Sequence, residues 1–190
     1  MAAAAAFWAE FVAATETESS YTAWGFGDDD KPELMTELGL LVRDGPKRAT
    51  TSLASAYGPD DEPMPTVGDH SVILDGDGGP LCIIRTTSLE IRPFGDVDEA
   101  FAWDEGEGDR TLVDWRRGHE WYFASVGQAL TDATPVVLER FAKVWPPPVD
   151  PSLTGGWARL LGASPPASRS GSPAARNCQG SAKGHSHRPR

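Results

Sequence analysis

Apolar residues recur at helical spacing near the start of the chain. Phe7, Trp8, Phe11 and Val12 share one face, which predicts an amphipathic helix over residues 5–14. Ser19 to Phe26 carries no such period and reads as loop leading into Gly27-Asp28-Asp29-Asp30. A stronger stripe follows in Leu34, Leu38, Leu41 and Val42. Asp29 or Asp30 is placed to cap that helix, Pro32 and Glu33 suit its first turn, and Gly45 supplies a stop. Ala49 to Leu53, short and rich in threonine, reads as a strand. Past an acidic loop, Gly58 to Pro65, two apolar runs flank Asp75-Gly76-Asp77-Gly78-Gly79 and predict a hairpin. Its arms are Val72-Ile73-Leu74 and Leu81 to Ile84, the second continuing as β through Ile91. Asp96 is placed to cap a short helix through Ala102. Thr111 with Asp114 resembles a capping box for a helix carrying Leu112, Trp115 and His119. Pro135 to Val144 supplies a last strand. A helix followed mainly by strands, with short helices between them, predicts an α+β fold.

The pattern stops at Pro146-Pro147-Pro148. Residues 164–190 are rich in Ser, Gly, Pro, Ala and Arg and hold almost nothing that builds a core. One domain over residues 5–145 and a disordered tail over 146–190 are therefore expected. Charge divides the same way. All 28 acidic residues lie within residues 1–150, against 11 basic ones, a net of −17, while residues 151–190 hold 6 basic residues and no acid. Such an acidic domain is a poor general phosphate binder, since nucleic-acid affinity rests largely on Lys and Arg releasing counterions. Any RNA it takes must enter a local pocket. Cys82, inside an apolar run, and Cys178, in the tail, form no disulfide framework, which fits a reducing cytoplasm. The opening stretch carries Glu10 and lacks a basic n-region, so no targeting segment and no membrane association are expected.

Four segments carry a resemblance. They are Ala23-Trp24-Gly25-Phe26-Gly27-Asp28 with Pro32-Glu33-Leu34; Gly45-Pro46-Lys47-Arg48-Ala49-Thr50-Thr51-Ser52; Val67-Gly68-Asp69; and Glu105-Gly106-Glu107-Gly108-Asp109-Arg110-Thr111-Leu112 with Trp115-Arg116 and His119. In this order they resemble the ASCH domain family, in its short bacterial branch, and the second resembles the family's Gly-x-Lys-x-x-Thr signature. The resemblance implies a PUA-like β-barrel with a groove beside the Gly-x-Lys loop, and RNA or a modified nucleoside as partner, with no DNA. Some relatives act as amidohydrolases on acetylated nucleosides through a Thr–Lys–Glu set. Carried over by position, that set is Thr50, Lys47 and a glutamate in the Glu105/Glu107 stretch, with Glu107 favoured because it sits closer to the Thr-Leu pair that follows. Gly45, Arg48, Thr51 and Ser52 belong to the same segment as candidate ligand contacts.

The residues themselves leave several readings open. Lys47 on a turn offers a mobile point charge for a phosphate or a carbonyl oxygen. Thr50 and Ser52 share one face of their strand and Thr51 takes the other. Were Lys47 and Thr50 to meet in one pocket, a neutral lysine would have to deprotonate the hydroxyl, and a nearby carboxylate opposes that state. The bland alternatives are a solvated turn lysine, a β-forming threonine and a solvated acidic loop. Trp24 and Tyr57 are candidates to stack a base, Arg116 to hold a phosphate, and His119 reads as a packed or capping histidine. Asp28-Asp29-Asp30 fits helix capping better than metal binding, and no zinc set, Walker loop or nucleophile elbow is present, so no cofactor is expected. Three functions follow in order: an RNA- or nucleoside-binding module, an amidohydrolase, and a protein-interaction domain with a degenerate pocket.

Overall fold

The structure, a computed structural model, describes residues 2–28, 30–58 and 63–147. Its frame is a five-stranded mixed sheet in the order β1-β3-β4-β5-β2. The strands are β1 (Tyr21–Trp24), β2 (Ala49–Leu53), β3 (His70–Leu74), β4 (Pro80–Pro93) and β5 (Pro135–Trp145). Within this sheet β1 and β3 pair in parallel, and the other neighbours are antiparallel. Among the described residues four α-helices surround the sheet: α1 (Ala2–Thr15), α2 (Pro32–Arg43), α3 (Glu99–Glu105) and α4 (Leu112–Ser125). The α+β expectation holds. So does the hairpin, with β4 running on through Ile91 to Pro93.

Alternation along the strands sorts the core. Ile73, Cys82, Ile84 and Phe141 share one side of the sheet and pack with Val42 and Leu38 of α2. Val72 and Ile83, on the other side, are covered by Ala4 and Phe11 of α1. Further along that second side, Ala49, Val136 and Leu138 pack under Phe101 and Ala102 of α3 and Trp115 of α4. Cys82 is fully buried, and burial pushes its thiol up to about 12, which leaves it a packing residue.

Three local expectations are corrected. Tyr21–Trp24 is a strand, not loop. It is four residues long and its ladder partner is His70–Ile73, far along the chain, so no local period announces it. Helix α2 begins after Lys31, which makes no side-chain cap; Pro32 opens the helix and Asp30 does not cap it, while Asp29 lies outside the described residues. Helix α3 is capped by Asp98, whose Oδ1 accepts the Phe101 N–H at 2.8 Å, while Asp96 ends a 3-10 turn, Phe94–Asp96. Both aspartates fit a cap signature; the buried Phe94 keeps Asp96 within the turn. The disordered-tail expectation, from residue 148 onward, lies outside the described residues.

Candidate functional site

Two short segments meet at the end of α2. The chain leaves the helix through Gly45, and the Lys47 N–H donates to Leu41 O at 3.2 Å. The Arg48 N–H then donates to Asp104 O at 2.7 Å, and Arg48 O accepts from Phe141 N–H at 2.9 Å, so this turn is stitched to α3 and β5 at once. Opposite it, α3 ends in Gly106 with φ +71°, the left-handed conformation that glycine adopts without cost. A Cβ there would lie 2.7 Å from Lys47 N. Glycine thus lets the backbone after α3 close on the lysine turn, with Glu105 on one side and Glu107 on the other.

Lys47 is buried to 0% exposure. This corrects the expectation of a mobile, solvent-facing charge, because the segment after α3 folds over it. Its Nζ donates to Glu107 Oε1 at 2.5 Å and lies 3.6 Å from Glu105 Oε1, with the Phe26 ring centroid 5.0 Å away. Glu105, 1% exposed, is the hub. It accepts from Thr51 Oγ1 at 3.1 Å and from the Trp115 indole N–H, and His119 Nε2 lies 3.3 Å from its second oxygen. His119 Nδ1 sits 2.9 Å from Trp115 O. Both ring nitrogens therefore face acceptors, which is the bonding pattern of an imidazolium. Burial alone would push Glu105 up, but the charges of His119 and Lys47 and the bonds from His119 and Trp115 outweigh it and hold the carboxyl down at about 2. Burial would likewise lower His119; the Glu105 charge and hydrogen bond, with the Trp115 carbonyl and Glu107, raise it instead. The result is two cations against two anions, with Lys47 and Glu105 fully buried and His119 nearly so. Glu107, one-third exposed, faces a cleft of about 410 Å³ lined also by Gly108, Asp114, Trp115, Arg117, Gly118, His119 and Trp121.

The remaining candidates do not line the cleft. Thr50 has Glu139 as its cross-strand partner and stands on the opposite side of β2 from Thr51, by strand alternation. That side is polar. The Thr86 hydroxyl donates to Glu139 at 2.5 Å, Ser52 and Tyr57 share a hydrogen bond of 2.8 Å, and burial pushes the Glu139 carboxyl up against the opposing pull of Thr86. Trp24 packs edge-on to Phe26, centroids 4.8 Å apart. Arg48 donates to Lys47 O and Val42 O, and a Cβ on Gly45 would come within 3.0 Å of Leu41 O, so both serve the helix end. Arg116 donates to Gly95 O at 2.6 Å, pinning the 3-10 turn. Sequence reasoning missed Glu105, Trp115 and His119 as one network. The signal was available: at positions 115 and 119, one turn apart on a helix, the indole and imidazole lie on the same face. Among the described residues no group of His, Cys, Asp and Glu is placed to hold a metal ion, and no helix is long and apolar enough to cross a membrane.

A fold of this order, with the lysine turn and the Glu105–Glu107 segment closed on each other, is the kind of domain the motifs implied. The ASCH domain family model matches residues 22–145, and the chain belongs to that family, whose fold is PUA-like. Solved structures similar to it include the following two. An ASCH domain from Lactobacillus crispatus JV V101 has 31% identity and a TM-score of 0.68, over 76% of this chain and 95% of that one. A protein from Enterococcus faecalis V583 has 34% identity and a TM-score of 0.65, over 74% and 87%. No protein with a curated description matches the chain.

Proposed function

We propose that this domain binds a nucleobase-bearing ligand, in RNA or as a free nucleoside, in the cleft beside the Gly-x-Lys-x-x-Thr turn. The observation that carries the reading is the buried cluster of Lys47, Glu105 and His119, whose fourth member, Glu107, opens onto the cleft. Taking Lys47, Glu105 and His119 out of water costs several kcal/mol per ion and is often no more stable than apolar packing of equal volume. Stability alone gives little reason to build such a cluster, and perturbed ionisable groups beside a cleft are the usual mark of a binding or catalytic site. Membership of the ASCH family agrees with RNA as a ligand class.

Hydrolysis through Thr50 is less well supported. It asks for a threonine hydroxyl next to a neutral lysine, whereas the hydroxyl bonded to this cluster belongs to Thr51 and the lysine is engaged by two carboxylates. The test is equilibrium binding of the four ribonucleosides and of a mixed short-RNA pool to the full chain and to its Glu107→Gln variant. Saturable binding of at least one probe, weakened tenfold or more in the variant under conditions where both proteins are folded, is the expected result. A folded wild-type protein that binds none of them overturns the proposal.

A further inference from the structure

Helix α4 shows two faces. Inward, Trp115 and Phe123 are buried. Outward, Asp114, Arg117, Gly118 and Trp121 stand at i, i+3, i+4 and i+7, one stripe along the wall of the cleft. Two of these residues make no sense as packing. Trp121 is 64% exposed. Gly118 sits in the helix interior, where glycine is among the least favourable residues, yet a Cβ there would meet nothing within 4 Å and its φ is not left-handed. Neither backbone geometry nor a neighbour within the chain asks for glycine at this position.

We infer that the outward stripe of α4 is a stacking seat, with the Trp121 indole against the ligand's ring and Gly118 left bare so that the ring can approach the helix. This rests on the nucleobase reading above and adds which surface holds the base and which form of ligand fits. Aromatic side chains hold bases through their π-faces, a contact tolerant of base identity. Lys31 Nζ sits over the indole, 5.9 Å from its centroid, and over the Tyr122 ring at 5.1 Å, and is itself fixed by a 2.8 Å bond to Ser125 Oγ, so the base takes the indole's other face. Beyond the bare glycine the cleft ends in carboxylates. Glu107 gives one oxygen to Lys47, and Asp114 occupies Arg117 and accepts the Asp109 N–H. A carboxylate-lined end takes donors such as ring amino groups and repels phosphate. A neutral nucleoside is therefore favoured over its 5′-monophosphate, whose charge would meet these oxygens while Arg117 is held by Asp114.

Calorimetric titration of the full chain with the four ribonucleosides and their 5′-monophosphates tests this, using wild type, Gly118→Leu, Trp121→Ala and Trp121→Phe. Wild type should bind at least one nucleoside tenfold or more tighter than its monophosphate. Gly118→Leu should lose at least tenfold in affinity while its melting temperature stays level or rises, since leucine favours a helix. Trp121→Ala should lose as much, and Trp121→Phe should recover most of the loss. If wild type binds and Gly118→Leu and Trp121→Ala bind equally well, the seat is elsewhere and the inference fails alone. Equal or tighter binding of the monophosphate overturns the ligand form. If wild type binds no nucleoside and no RNA, the underlying nucleobase reading falls first.

Discussion

Single residues set the character of this site, and Lys47 most of all. A turn lysine in water can be removed with little effect; one buried between Glu105 and Glu107 cannot, because its loss leaves carboxylates uncompensated. Lys47→Met is expected to destabilise the domain by about 3–5 kcal/mol. Denaturant titration would read it, and a loss under about 1 kcal/mol would show that the cluster is wet. The His119–Glu105 contact makes the site pH-dependent in a defined window. The carboxyl is held below its ordinary 4.5, at about 2, so its contribution is complete above 4.5 and fades as pH falls toward 2. The imidazole is raised above 6.5, so its contribution is complete below 6.5 and is lost as pH climbs through the folded-state value. The stability gap between wild type and His119→Asn should then be widest between pH 4.5 and 6.5 and narrow above. Unfolding midpoints across pH 4 to 9 check this; a gap that is flat with pH would mean that the pair is neutral.

Elements position these residues through their ends. Asp98 starts α3 and Gly106 stops it, and together they aim Glu105 and Glu107 at the lysine turn. Asp98→Ala should cost about 1 kcal/mol as a lost cap, while Asp96→Ala should change little. Gly106→Ala should cost more, about 1–3 kcal/mol, because it strains a left-handed position and drives a methyl into the Lys47 backbone. Thermal melts of the three variants rank them, and a ranking with Asp96 first would restore the alternative cap. Helices were legible in the sequence where a stripe and an end signal agreed, as for α2 and α4. Strand β1 was not, because its order comes from a parallel partner remote in sequence. The site was half legible. The segment holding Glu105 and Glu107 stood out, but which of two adjacent threonines turns toward it depends on how β2 lies against α3, and that is settled by packing. Glu105 resembled one more solvated acid of an acidic loop until its partners on α4 were in place.

At the scale of the molecule, charge is the constraint. Residues 1–150 carry a net −17, and residues 151–190 carry six basic residues, including Arg159, Arg169 and Lys183, with no acid. Long RNA held through its phosphates should therefore depend on the second stretch. Removing residues 151–190 is expected to weaken binding of long RNA and to flatten its salt dependence, by about one unit of log–log slope for each phosphate no longer neutralised. Nucleoside affinity should stay as it was. RNA titrations across a salt series, with both chains, measure this; an unchanged slope in the shortened chain would reveal a basic groove within residues 1–150.

Strand β5 lies between β4 and β2, and it is the last strand of the sheet in chain order. That order matters during synthesis. Until residues 135–145 leave the ribosome, β2 lacks its ladder partner, and β4 from Thr86 to Pro93 lacks its own. At roughly 5–20 residues per second, β2 waits on the order of ten seconds as an unpaired edge, the kind of segment that invites pairing between nascent chains. A truncation before Pro135 would make that wait permanent.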